Sequence, residues 1–179
     1  MFSAQLWYTW VSRSVPAILG FYSLDMHKSN KSCYIQGVDK QILEFLGRNR
    51  VCVLSVLLSD ASSHSAALHY SQESDPFALY FSTDRESRKF EPLSKVPVVQ
   101  ASVVVGWSEE EWITLQMSGD LAVIADPAQI EVAKNVHYTK NPGSKKFEGI
   151  PTTVFLKFTP TWWRYTDFNT NPVTHIENK

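Results

Sequence analysis

Cysteine is nearly absent: Cys33 and Cys52 are the only two in 179 residues. Two thiols cannot build a disulfide framework or a four-ligand zinc site. Neither charge is in excess, since 17 Lys and Arg stand against 18 Asp and Glu. A basic field for nucleic acid is therefore excluded, as is an acidic block. Seven glycines and nine prolines exclude collagen-like and low-complexity structure. No uninterrupted apolar run of about 20 residues occurs, so no membrane-spanning helix is expected. The metalloprotease, nucleophile-elbow, P-loop and dinucleotide fingerprints are all missing. The five histidines, His27, His64, His69, His137 and His175, are scattered without ligand spacing, so no metal site is expected.

What is present is an ordinary globular composition with 44% hydrophobic residues, enough to exclude wholesale disorder. Six tryptophans supply material for a core or for the wall of a planar-ligand site. A length near the ~150 residues of one domain predicts a single domain. Residues 1–36 read as an extension outside that domain. Their apolar patches, LWYTWV and VPAILGFYSL, are divided by Arg13. They imitate the first two parts of a signal peptide but lack its cleavage site. Met26 is then a plausible start, and the expected location is the cytoplasm.

The globular pattern begins near Gly37. Val38, Ile42, Leu43, Phe45 and Leu46 mark one face of a short helix that Gly47 should stop. Strands are predicted over 51–58, 65–70 and 77–82, forming an antiparallel meander with turns at 59–63 and 72–76. Asp84 to Ser94 reads as a charged helix anchored by Phe90 and Leu93 and shortened by Pro92. Strands follow at 96–105 and 112–124, the latter with a bend at Gly119. Asp126-Pro127-Ala128-Gln129 opens a helix, with Asp as N-cap, Pro first, and Gln three residues after the cap. Two further strands are predicted over 152–158 and 162–167. Six or seven short strands with helices inserted singly predict a mainly β fold, a closed or partly closed antiparallel barrel, with a sandwich as the alternative.

The segment Tyr80 to Lys89, YFSTDRESRK, concentrates chemistry. If it is helical, Arg85, Arg88 and Lys89 share one face. Ser82 and Thr83 stand where an N-cap belongs, and Ser87 lies one turn on. Hydroxyls, N-terminal amides and a guanidinium together make a phosphate site. The alternative is a solvated helix whose cations pair with Glu86 and Glu91. Trp162-Trp163-Arg164-Tyr165 is the second concentration. Strand alternation puts Trp162 and Arg164 on one face, Trp163 and Tyr165 on the other. These aromatics serve either core and interface packing or a ligand. Cys52 reads as core, and Lys140, Lys145 and Lys146 as a loose basic loop.

YFSTDRESRKFEPL, preceded by strands and followed by a Val-rich strand and WITLQMSGDLAVI, resembles the pyridoxamine 5'-phosphate oxidase-like superfamily of FMN-binding split barrels. The likeness is to its general-stress-protein type or to uncharacterised branches. It covers roughly 38–167, within a barrel domain of 37–170 and ahead of a tail of 171–179. The resemblance implies a split antiparallel β-barrel and a homodimer with FMN at the subunit interface. It places Ser82 and Thr83 near the ribityl chain and phosphate, and Ser87, Arg88 and Lys89 on the phosphate. Thr114 and Gln116 would come from the other subunit, with Trp162 and Arg164 near the ring. An FMN-dependent oxidoreductase acting on a small organic substrate is the implied function. A non-catalytic ligand-binding or stress-response protein is the alternative, as is a haem or deazaflavin binder. The sequence departs from the oxidase in two places. The second strand offers only His69 where the oxidase has a basic pair, and Arg164 lacks the histidine two residues away. Oxidation of pyridoxamine phosphate itself is therefore not expected.

Overall fold

A computed structural model describes residues 38–178. The expected extension at 1–36, with Cys33 and the candidate start Met26, lies outside the described residues. The first element, α1 (Lys40–Arg48), is capped by the Asp39 carboxylate, which accepts from the Gln41 N–H at 2.8 Å. Ile42, Phe45 and Leu46 are wholly buried, as their spacing predicts. Gly47 does not stop the helix. Asn49 closes it instead, donating from both its backbone N–H and its side-chain amide to the Phe45 carbonyl.

Eight strands follow: β1 (Val51–Leu57), β2 (Ser63–His69), β3 (Ser71–Ser74), β4 (Phe77–Asp84), β5 (Val98–Val105), β6 (Ile113–Val123), β7 (Thr153–Asp167) and β8 (Thr174–Glu177). They form one sheet in the order β2-β1-β5-β6-β7-β4-β3, with β8 added to β7. Every pairing is antiparallel, and the sheet curls into a split barrel. The inner face collects Leu54, Phe81, Val103, Leu115, Leu156, Phe158 and Tyr165 into one core, which α1 plugs through an edge-to-face contact of Phe45 on Tyr165.

Several expectations are corrected. The three-strand meander does not form, because β4 pairs with β3 and β7 rather than with β2. The expected turn at 72–76 contains most of β3, and residues 174–177 of the expected tail form β8. The two strands expected between 152 and 167 are one continuous strand. Pro160 lies within it, opposite Gly119 at a bulge between Ser118 and Gly119 of the partner strand, where a missing N–H is tolerated. Gly119 is needed there, since a Cβ would lie 2.7 Å from the Pro160 Cα. The bulge also changes the alternation of β7. Leu156 and Phe158 face the core before it, Trp163 and Tyr165 after it.

The second helix, α2 (Pro127–Lys140), begins as its sequence predicts, with the Asp126 carboxylate accepting from the Gln129 N–H at 3.1 Å. It lies over the outer faces of β4 and β7, where Ala78, Tyr80, Ile124, Ala133 and Phe155 make a second, smaller core. β4 is therefore covered on both sides. Lys140 is not part of a loose loop. Its ammonium donates to the Leu46 carbonyl and the Gln72 side-chain carbonyl, both at 2.6 Å, and rests on the Tyr70 ring. No helix of the described residues is long and apolar enough to cross a membrane.

Candidate functional site

At the end of β4 the chain enters a series of tight turns instead of the expected charged helix. The Asp84 carboxylate accepts from the Glu86 N–H at 2.7 Å, and the Asp84 carbonyl accepts from the Ser87 hydroxyl at 2.6 Å. Two 3-10 turns follow, Arg88–Phe90 and Pro92–Ser94. Pro92 has no N–H to donate back, and its ring would crowd the carbonyl four residues earlier, so an α-helix cannot pass through this point. Arg85, Arg88 and Lys89 consequently do not share a helix face. Phe90 and Leu93, the expected anchors, are buried.

The turns wall an open cleft of about 740 Å3, lined by Arg85, Arg88 and Ser87, by the carboxylates of Glu86 and Glu91, and by Phe90 and Leu93. The Arg85 guanidinium sits over the Phe90 ring at 5.9 Å. Thr83, nearly buried at the end of β4, brings its hydroxyl to 3.4 Å from that of Ser87. Lys89 is half-buried. Burial pushes its ammonium below the ordinary value, and the nearby Asp84 carboxylate pulls the other way. Neither Arg88 nor Lys89 forms an ion pair among the described residues. A partly desolvated cation without a bonded carboxylate gains most from an incoming anion. Ser82 points to the outer face of β4, opposite Phe155 of β7. The cleft wall thus brings Ser87 and Arg88 together, with Thr83 beside Ser87 and Lys89 next in the same turn, and leaves Ser82 on the far side of the strand.

The other candidates form a separate group. Gln116 pairs with Arg164 and Thr114 with Thr166 across β6 and β7, on the outer face of the barrel. Trp162 and Arg164 share that face, the guanidinium 5.6 Å from the indole, while Trp163 and Tyr165 face inward, as alternation predicts. Arg164 is bonded by Glu177 of β8 through two contacts of 2.9 and 2.8 Å, an anion that the sequence reading did not foresee. The two groups lie far apart. Thr83 stands opposite Val154 and Gln116 opposite Arg164, so the length of β7 between them spans roughly 30 Å at ~3.3 Å per residue. One chain alone cannot place both groups on one small ligand.

Cys52 is core, its thiol pushed up to about 12 by burial. His69 is exposed on the outer side of β2, opposite Val51. Sequence reasoning missed Tyr138 of α2, whose hydroxyl is buried without a partner among the described residues. The alternation of polar and apolar residues along α2 gave no signal for it. Among the described residues, no group of three His, Cys, Asp or Glu is placed to hold a metal ion.

Comparison with known proteins agrees with the barrel. General stress protein 26 from Bacillus anthracis superposes with a TM-score of 0.56 at 25% identity, over 70% of this chain and 90% of that one. A Clostridium acetobutylicum protein related to general stress protein 26 of Bacillus subtilis gives 0.59 at 17%, over 79% and 96%. A protein described as heme binding, from Mycobacterium smegmatis, gives 0.61 at 11%, over 78% of this chain and 59% of that one. No curated protein matches the sequence closely enough to count as a relative. The family model described as pyridoxamine 5'-phosphate oxidase matches residues 38–167, nearly the whole of the described barrel. The match covers well over half of the chain, and the chain belongs to the pyridoxamine 5'-phosphate oxidase-like family of split barrels.

Proposed function

We propose that the chain binds FMN between two copies of itself and serves as a flavin-dependent oxidoreductase for a small organic substrate. The observation that carries this reading is the pairing of a hydroxyl-lined cleft, where Arg88 has no ion-pair partner among the described residues, with a second ligand-type group distant from it along the sheet. A two-fold dimer satisfies that geometry, with Thr83, Ser87, Arg88 and Lys89 of one protomer holding the phosphate. Gln116, Thr114 and Trp162 of its partner would then face the ring. The donor set fits the group. A phosphate with charge near -2 calls for several cationic donors and hydroxyls, and Arg88, Lys89 and Ser87 supply them. Bound FMN would contribute the hydride chemistry, and the protein the position and the hydrogen bonds that tune it. Ser82, on the outer face of β4, has the weaker claim to a contact. Arg164 would first have to leave Glu177.

Titration of the purified protein with FMN and with riboflavin, alongside light scattering, tests this reading. Expected are a dimer, a perturbed flavin spectrum and clear preference for FMN over riboflavin. A monomer that ignores FMN would refute it. The Mycobacterium smegmatis relative described as heme binding supports a second reading, a haem site in the same barrel. A Soret band that sharpens on adding hemin would select that reading.

A further inference from the structure

Arg88 stands free although a carboxylate is placed to pair with it. Glu91 closes the 3-10 turn Arg88–Phe90, its N–H donating to the Arg88 carbonyl at 3.2 Å. In such a turn side chains three residues apart eclipse each other, and both residues line the same cleft. Yet the Glu91 carboxylate is bonded elsewhere. It pairs with the Lys95 ammonium at 3.3 Å, and that ammonium also donates to the Ser59 hydroxyl at 2.5 Å. The Ser59 hydroxyl first, and Lys95 after it, hold the Glu91 carboxyl below its ordinary value, so it stays an anion. A second carboxylate is tied off in the same way. Asp60, beside Ser59 in the turn between β1 and β2, accepts from the Ser62 N–H at 2.9 Å and the Ser62 hydroxyl at 2.5 Å. The Ser62 hydroxyl leads in holding its carboxyl low, and the Arg88 charge acts on it only as a lesser cause.

Ser59 and Lys95 come from opposite sides of the split. The sheet order sets β2 at one edge and β4 next to the other, and the two residues belong to the turns that follow β1 and β4. We propose that Lys95 is a positioning residue of the cleft: by holding Glu91 against Ser59 it keeps that carboxylate off Arg88 and leaves the guanidinium open to an incoming phosphate. The inference rests on the flavin reading and adds to it a residue that touches no ligand. Without Lys95, Glu91 turns to Arg88 and closes an ion pair where the phosphate would sit. Glu86, the other carboxylate of the lining, joins none of the ion pairs among the described residues, so its influence on Arg88 is the same with and without Lys95.

Fluorescence titration of FMN and riboflavin into the parent, Lys95→Met, Glu91→Gln and the double variant tests the proposal. Lys95→Met should weaken FMN by about tenfold and riboflavin hardly at all. Glu91→Gln alone should leave FMN close to the parent, because its carboxylate is already withheld. In the Lys95→Met background the same substitution should restore affinity by about fivefold or more, a coupling that only neighbouring groups show. Lys95→Arg, which keeps the donor, should bind FMN as the parent does. The Lys95 side chain is 60% exposed, so thermal melts of these variants should match the parent's and binding losses are not unfolding. An unchanged FMN affinity in Lys95→Met would overturn the proposal. So would an equal effect of Glu91→Gln in both backgrounds, since Lys95 would then act only as a distant charge. A parent that ignores FMN would refute the flavin reading instead, and the four proteins are then titrated with inorganic phosphate by calorimetry. A Lys95→Met loss that Glu91→Gln restores upholds the positioning role there too, and its absence overturns it.

Discussion

The two ends of β7 share one strand and one sheet, yet their outer faces differ. At the Thr153–Phe158 end, α2 seals the outer face and buries Phe155 against Ala78, Tyr80 and Ala133. At the Trp162–Asp167 end no helix of the described residues lies over the outer face. Trp162 and Arg164 stand beside Gln116 and Ser118 of β6, and the face continues over the small side chains Ser102 and Val104 of β5 to Val53 and Ser55 of β1. The covered end is a scaffold that fixes the turns after β4. The open end carries polar side chains, of which Arg164 is bonded to Glu177 of β8. A single strand can therefore be buried on both faces at one end and on one face at the other, the difference set by where one helix is laid.

The sharpest way to break the comparison is at the cleft beside the covered end. Arg88→Ala with Lys89→Ala removes two charge-assisted contacts of about 1.5–3 kcal/mol each. FMN affinity should fall by ~100-fold or more, riboflavin affinity hardly at all, and the melting temperature should stay close to the parent's. Equal losses for both flavins in fluorescence titration would show that the cations do not read phosphate. Within the covered end itself, Phe155→Ala should cost about 3–5 kcal/mol in urea unfolding. Flavin and subunit contacts should persist wherever the fold does.

The acid side of the stability curve sharpens the contrast further. His137, buried beneath the same helix, is pushed down to about 4, chiefly by burial. Its ordinary value is 6.5, so the unfolded chain takes up the proton first as pH falls. Stability is then complete above about 6.5 and declines between about 6.5 and 4 by on the order of 3 kcal/mol. His137→Gln should flatten that decline, as followed by thermal melts across pH. The smallest effect belongs to the open end. Arg164 and Glu177 are both about half exposed, so Arg164→Ala should change stability by about 0–1 kcal/mol. A larger loss would mean that β8 depends on this pair.

Much of this was legible in sequence where a local rule governed. Asp126, Pro127 and Gln129 announced the start of α2, and the spacing of Ile42, Phe45 and Leu46 announced the buried face of α1. The ordered motif from Tyr80 to Lys89 announced the family to which the chain belongs. What escaped depended on distant contacts. β7 was expected as two strands, 152–158 and 162–167, because nothing local reveals the bulge that carries the chain through Pro160. β4 looked like the third strand of a meander because its true neighbour, β7, lies some 70 residues away in the chain. The Glu177 carboxylate on Arg164 and the orphan hydroxyl of Tyr138 arise only when separate elements meet, so no spacing could have announced them.

The bulge opposite Gly119 has a consequence for how this strand can change over time. Residues before and after it are read in two different frames, even numbers inward on one side and odd numbers inward on the other. A single-residue deletion at Thr161 would merge the frames. It would remove the bulge, keep Pro160 opposite Gly119 and Trp162 opposite Ser118, and leave Trp163 and Tyr165 facing the core in one regular alternation. The same deletion in the turn between β1 and β2 would shift no buried side chain across a sheet. An alignment that runs through this point without a gap, against a relative that lacks the bulge, will therefore exchange inner and outer residues on one side of it. Which side chains of the open end are matched to the outer face depends on that one-residue phase.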